Sequence, residues 1–351
     1  ARTAARKAAQ PSRRFGLLLS AADIRARSDR EEAERLLREV LDGEGVPGRA
    51  RRDAARRLAA LLDDSLSGGA RKADRLAVLE RLAELESEDA EKRRVLGWVA
   101  RLATELEETD RALSAWKRRL ELDAQDLEAL EARIRLLESH GRHAELAEAL
   151  LARAALPLPG VLQRDDLVRA ARVQAGALEN PNAAIMTWRE VEERFGVTNE
   201  SVDALSSLYA RTEMHEDHAQ VLEQASTRDA ARAVDVLARL ADVRGNALGD
   251  TETASSALSR AIQLDPRHEG ARKGLTALLE RATETTRAAA VEGLADAAFR
   301  TDDVNALLSL LPHRLEAATS DRTRVRLLRD AAKLEEERLS DPARAFASVS
   351  M

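Results

Sequence analysis

Apolar residues along the chain fall into stripes at helical spacing, separated by short polar or breaker segments. From Glu32 onward Leu36, Leu37, Val40 and Leu41 form one stripe, which Gly43, Gly45, Pro47 and Gly48 end. Further stripes follow at Leu58, Leu61 and Leu62, at Leu76, Leu79 and Leu82, and at Val95, Val99, Leu102 and Leu106. The breakers include Gly68-Gly69, Pro157 to Gly160, Asn180-Pro181-Asn182, Asp265-Pro266 and Asp341-Pro342, residue types that suit helix caps and first-turn prolines. The pattern predicts helices of roughly 12 to 20 residues joined by short turns, which makes sequence neighbours antiparallel.

The stripes repeat. A shift of 72 residues pairs Trp116 with Trp188, Leu130 with Val202, Leu137 with Tyr209, His143 with His215 and Leu150 with Leu222. A further shift of 70 carries Leu178 to Leu248, Asn180 to Asp250, Ala184 to Ala254 and Trp188 to Leu258, and a late copy reads Leu339, Asp341, Ala345, Val349. Each block splits into two helical hairpins. Equivalent positions in successive second helices are Ala112, Leu146, Ala184, His218 and Ala254, with spacings of 34, 38, 34 and 36 residues.

The segment Ala254, Leu258, Ala261, Pro266, with its Ala-Ile-Gln-Leu-Asp-Pro ending, resembles the second-helix signature of the tetratricopeptide repeat family. Ala112, Trp116 and Leu120 to Asp123 match less completely, and Gly141-Arg142-His143 resembles the family's inter-helix turn. First helices depart from the pattern, with Ile134 and Leu137 where a small residue and an aromatic stand, although Tyr209 keeps the aromatic. The doubled period, with Trp in the second hairpin, resembles long repeat arrays of high-GC bacteria. The resemblance implies an all-α, right-handed superhelical solenoid of antiparallel hairpins with a concave surface lined by first helices.

On that frame residues 1–20 are expected to form a basic, flexible arm and 21–105 an irregular helical region. Repeats are expected over 106–266, an extra helix that breaks the phase over 267–284, and further repeats over 285–351. The last hairpin is expected to be cut short at Met351, which makes a fragment or self-association through that end two readings of the same feature. The resemblance also implies groove-facing positions at Glu128, Glu131, Arg135, Glu138, Asp166, Arg169, Glu200, Asp203, Ser207 and Arg211. This acidic set favours a basic or mixed-charge protein partner and lacks the Lys/Asn cluster with which some family members clamp an acidic chain terminus.

Composition agrees with the periodicity. Hydrophobic residues make up 44% but aromatics only 2%, and Ala, Leu, Arg and Glu dominate, so the strong helix formers outnumber the strand formers. Charged residues reach 34% with both signs interleaved, as expected of helices that each keep a face in water. No apolar stretch approaches the ~20 residues that span a bilayer. There is no cysteine, hence no disulfide framework or thiolate chemistry.

Charge is lopsided: residues 1–75 hold 18 Lys/Arg against 12 Asp/Glu, while the chain as a whole is at -6. Arg49, Arg52 and Arg56 fall on one helical face with Arg51 and Arg57 beside them, and the first fourteen residues add Arg2, Arg6, Lys7, Arg13 and Arg14. This patch carries the alternative reading, binding to nucleic acid or an anionic membrane surface. Asp53, Asp63 and Asp64 interrupt it, and no aromatic platform for bases accompanies it.

Catalytic motifs fail at named positions. Gly43 to Gly48 is followed by Arg49 and Ala50 where a phosphate-cradling loop needs Lys and Ser/Thr. No Gly-x-Ser-x-Gly elbow occurs. Carboxylate runs such as Glu107-Glu108 and Glu335-Glu336-Glu337 read as solvated helix faces. The pairs His140/His143 and His215/His218, with Glu145 and Asp217 nearby, have ligand-like spacing, but His215 to His218 reads His-Glu-Asp-His and Gly141 interrupts the other pair. Trp98, Trp116 and Trp188 sit on apolar stripes and are read as core. The sequence therefore leads to a non-catalytic protein-interaction scaffold, with no cofactor, metal or small-molecule substrate expected.

Overall fold

The structure is a computed structural model that describes residues 11–63, 69–281 and 283–350. Its described residues form helices and connecting turns in two compact units, Ala1–Leu178 and Glu179–Met351. The first contains α1 (Pro11–Arg25), α2 (Arg30–Asp42), α3 (Gly48–Leu61), α4 (Gly69–Leu85), α5 (Asp89–Glu105), α6 (Thr109–Leu122), α7 (Leu127–Ser139), α8 (His143–Ala154) and α9 (Gly160–Ala175). Each packs on the next, so the core is a continuous ribbon in which Leu36, Leu58, Leu76, Leu79, Leu82 and Leu96 are fully buried.

The second unit contains α10 (Pro181–Phe195), α11 (Asn199–Arg211), α12 (His215–Ser226), α13 (Ala233–Asp242), α14 (Thr251–Leu264), α15 (Glu269–Arg281) and α16 (Glu284–Arg300). It continues with α17 (Val304–Ser309), α18 (Leu311–Ala317), α19 (Asp321–Glu337) and α20 (Pro342–Ser350). A five-residue π-helical segment, Val243–Ala247, extends α13. Pro312 stands at the start of α18, where its missing N–H and fixed φ suit a helix beginning and divide it from α17.

Helices α6, α8, α10, α12 and α14 begin at residues 109, 143, 181, 215 and 251, which are 34, 38, 34 and 36 residues apart. Their fourth residues, Ala112, Leu146, Ala184, His218 and Ala254, are all buried. Trp116 and Trp188, at one repeat position, are 3% and 2% exposed, core residues as their recurrence requires.

The hairpin turn is a device common to both units. A left-handed residue stands two positions before the second helix at Glu107, Gly141, Glu179, Glu213 and Gly249, and again at Asp302 before α17 and Ser340 before α20. In four turns the next residue donates its N–H to the carbonyl five positions back: Glu108 to Ala103, Arg142 to Leu137, Met214 to Tyr209 and Asp303 to Ala298. These are Schellman closures, which satisfy carbonyls that the helix end leaves open. By this mark α14 and α17 both follow hairpin turns, yet their starts at 251 and 304 lie 53 residues apart. Two helices, α15 and α16, occupy that interval.

The expected flexible arm of residues 1–20 needs correction from Pro11 on. There the chain is helical, and Phe15, Leu18 and Leu19 bury themselves against α2 and α3 because their i, i+3, i+4 spacing makes an apolar stripe. Residues 1–10 lie outside the described residues.

Candidate interaction surfaces

The ten groove-facing positions divide between the units. Glu128, Glu131, Arg135 and Glu138 lie on α7, Asp166 and Arg169 on α9, and Glu200, Asp203, Ser207 and Arg211 on α11 of the second unit. Asp166 is a correction. It is 1% exposed and accepts from Arg153 Nε at 2.8 Å and Nη2 at 2.6 Å, so it faces the α8–α9 contact and presents no carboxylate to a groove.

Several of the others are engaged across repeats. Arg169 Nη2 donates to Glu138 at 2.9 Å, Arg119 Nη2 to Glu128 at 2.8 Å, and Arg232 Nη2 to both oxygens of Asp203 at 2.8 and 2.9 Å. Much of the apparent acidity is thus spent on neighbouring arginines. Periodicity places the acids on the surface, while the cations that face them come from other helices or turns and are invisible to a single-helix reading.

The basic patch is likewise drawn into the fold. Arg56 forks onto Glu86 at 2.8 and 2.9 Å, Arg52 reaches Ser87 at 3.2 Å, Arg57 meets Asp23 at 3.0 Å, and Arg51 donates to the Gly43 carbonyl at 2.8 Å. The hydrogen bonds to Glu86 raise the Arg56 pKa, against the opposing effect of burial. Only Arg49 of the five has no partner among the described residues.

The histidines are structural neighbours. His140 Nδ1 meets the Leu136 carbonyl at 2.8 Å and its Nε2 meets Thr109 Oγ1 at 2.8 Å. His218, 8% exposed, has Nε2 at 2.6 Å from Ser206 Oγ, to which Arg239 also donates. Burial first, then the charges of Arg239 and His215, push the His218 pKa below 6.5, with Asp242 opposing. Among the described residues no three His, Cys, Asp or Glu side chains converge as metal ligands would.

The feature that sequence reading missed is Trp98, 42% exposed on α5. It stands in a cleft of about 490 Å³ between α3 and α5, floored by Leu79 and Leu82 of α4. One wall is Arg56, Ala59 and Ala60 of α3, at i, i+3 and i+4, with Asp63 just past the helix end; on α5 the wall is Glu91, Arg94 and Trp98, at i, i+3 and i+7. Arg75 closes one end and pairs with Asp63 at 2.6 Å, while Arg94 pairs with Glu91 at 3.1 Å. Beside the Trp, Gly97 gives passage to Arg119: a Cβ there would lie 2.6 Å from Arg119 Nη1. The available signal was register, since Trp98 is on a first helix and outside the slot that Trp116 and Trp188 share.

No family model matches the chain, and no curated protein matches it. Similar solved structures include YrrB, a TPR protein with an unusual peptide-binding site, at 18% identity over 52% of this chain and 91% of that one, TM-score 0.32. Naa15/Naa10 bound to HypK-THB is 13% identical over 96% of this chain and 57% of that one, TM-score 0.35. The C-terminal part of a TPR repeat-containing protein from Cytophaga hutchinsonii is 12% identical over 73% and 99%, TM-score 0.32. The assignment of fold rests on the chain's own hairpins: their spacing, their shared turn and their buried fourth residue make it a tetratricopeptide-like helical repeat.

Proposed function

We propose that the chain is a non-catalytic protein-interaction scaffold and that the α3–α5 cleft is one of its docking surfaces, with Trp98 as the anchor. The exposure of Trp98 within a walled, apolar-floored cleft carries this reading. Trp is among the side chains that dominate binding energy when a partner desolvates them, and scattered surface apolar residues seldom come with a concavity of their own. The cleft's three arginines already hold Glu86, Asp63 and Glu91, so its fixed charges are balanced and an apolar side chain is the natural occupant. A nucleic-acid or anionic-membrane reading through Arg49, Arg51, Arg52, Arg56 and Arg57 finds four of the five guanidiniums committed within the fold.

Affinity capture from the native source with wild-type chain and with Trp98→Ala tests the proposal. Loss of a defined protein partner from the variant, with far-UV circular dichroism unchanged, is the expected outcome. Recovery of the same partners in the same yield by both would remove Trp98 from any docking role.

A further inference from the structure

The second unit has a cleft of similar plan and different chemistry, distinct from the Trp98 site. It lies between α16 and α19, has a volume of about 620 Å³, and contains Phe299, 75% exposed. One wall is Glu292, Ala295, Asp296 and Phe299 of α16, at i, i+3, i+4 and i+7. The opposite wall is Asp330, Lys333, Leu334 and Glu337 of α19, with the same spacing. Each wall is therefore a straight stripe about 10 Å long, two helical turns.

The charges of this cleft do not cancel as those around Trp98 do. Arg314 holds Glu292 at 3.3 and 3.4 Å, and Arg338 is turned to Asp302 at 2.5 Å. Asp296 has its nearest cation, Arg300, at 3.7 Å, and Asp330 has Arg326 at 3.9 Å, both beyond hydrogen-bonding distance. Glu337 has no ionic partner among the described residues, and neither does Lys333. Three weakly held carboxylates thus surround an exposed phenyl ring, with one lysine among them. The unit as a whole carries 22 Lys/Arg against 30 Asp/Glu, so its long-range field draws cations toward the cleft.

We infer that the α16–α19 cleft docks a basic amphipathic helix of a partner protein, apolar face on Phe299 and Leu334, lysines or arginines toward Asp296, Asp330 and Glu337. Two ridges of helical periodicity facing each other accept a third helix along the channel, with anchors at i, i+3 or i+4, and i+7. The fold supplies no strand edge among the described residues on which an extended peptide could build a ladder. Cations of the partner gain orientation and encounter rate from the carboxylates, and the ring supplies the buried area.

The test uses the full chain and a fluorescent, roughly 18-residue peptide of Leu, Lys and Ala patterned as an amphipathic helix. The expected result is saturable binding that Phe299→Ala and Asp330→Lys each weaken about tenfold. Trp98→Ala and Glu193→Lys, a charge reversal at an exposed residue of α10, leave it unchanged, and a Glu-for-Lys version of the peptide does not bind. Absence of binding overturns the inference, as does Phe299→Ala binding as tightly as wild type. Equal weakening by Glu193→Lys and Asp330→Lys would also overturn it, because attraction would then be to net charge alone. Since Trp98→Ala is followed separately, failure here is distinguishable from failure of the α3–α5 reading.

Discussion

The two units build the same hairpin but close it with different polar chemistry. In the first, buried carboxylates are gripped by arginine: Glu86 by Arg56, Asp126 by Arg119 at 2.6 and 3.2 Å and by Arg93 at 3.1 Å, and Asp166 by Arg153. Asp126 also caps α7 through the Ala129 N–H. In the second, the equivalent work falls to hydroxyls and a neutral ring: Ser206 with His218, Ser201 with Glu192 at 2.6 Å, and Ser348 with Glu335 at 2.7 Å. Glycines there let helices approach, as at Gly274, where a Cβ would lie 2.9 Å from Leu258 Cδ1. The lesson is that hairpin stacking fixes where polar groups meet and leaves open whether a charge there is met by an opposite charge or by a hydroxyl. That choice sets how each unit fails.

The sharpest test of the contrast is to remove one member of each kind. Asp166→Ala leaves Arg153 charged in a mostly buried site, a change that costs about 3 to 5 kcal/mol where buried pairs have been broken. Ser206→Ala removes a neutral hydroxyl and is expected to cost about 1 to 3 kcal/mol, since it strands the bonds of His218 and Arg239. Denaturant midpoints of the two variants decide it. Equal losses would mean that the ionic and neutral closures are energetically interchangeable.

Acidification separates the units by a second route. His218 has a folded pKa below 6.5, so the unfolded chain binds its proton first. The stability of the α11–α13 region is therefore full above about pH 6.5 and falls as pH drops from there toward the folded pKa. Asp126 in the first unit behaves oppositely in range. Burial raises its pKa, but the Ala129 N–H and Arg119 outweigh burial and leave it below 3.8, so its contribution persists until pH falls through the carboxylate range. Amide exchange followed from pH 7.5 to pH 5 is expected to lose protection in α11 to α13 before α5 to α7, and His218→Gln is expected to abolish that order. Simultaneous loss in wild type would show that His218 does not set it.

How much of this was legible in sequence follows from which contacts are local. The starts of the second helices, the buried Ala112, Ala184 and Ala254, and the paired Trp116 and Trp188 were readable, because period and stripe are properties of one chain segment and its copy. Asp166 was misplaced because helical phase assigns a face but cannot tell that Arg153 of α8 turns that face inward. The patch at Arg49 to Arg57 looked basic for the same reason: Asp23 and Glu86, which neutralise Arg57 and Arg56, lie about thirty residues away. Trp98 was assigned to core because it sits on an apolar stripe, and only its place on a first helix distinguishes it. Of the seven left-handed turns, sequence showed the one at Gly141; five of the others carry Glu, Asp or Ser, which do not mark a left-handed backbone.

Those turns provide the smallest prediction and the control for the comparison. Glu107 at φ 59 and Glu213 at φ 57 hold the same left-handed position in the two units, both exposed, each one residue before a Schellman closure. A side chain there crowds its own carbonyl, at a cost of about 1 to 2 kcal/mol that glycine does not incur, while glycine loses part of the gain through greater freedom in the unfolded chain. Glu107→Gly and Glu213→Gly are each expected to raise stability by about 0.5 to 1 kcal/mol, and by the same amount, with the two gains adding in the double variant. A thermal or denaturant melt showing equal shifts confirms that the backbone plan of the hairpin is common to both units and that their difference lies in the buried polar pairs. Unequal shifts would place part of the difference in the turns themselves, because the left-handed residue would then be held by its surroundings in one unit and merely tolerated in the other.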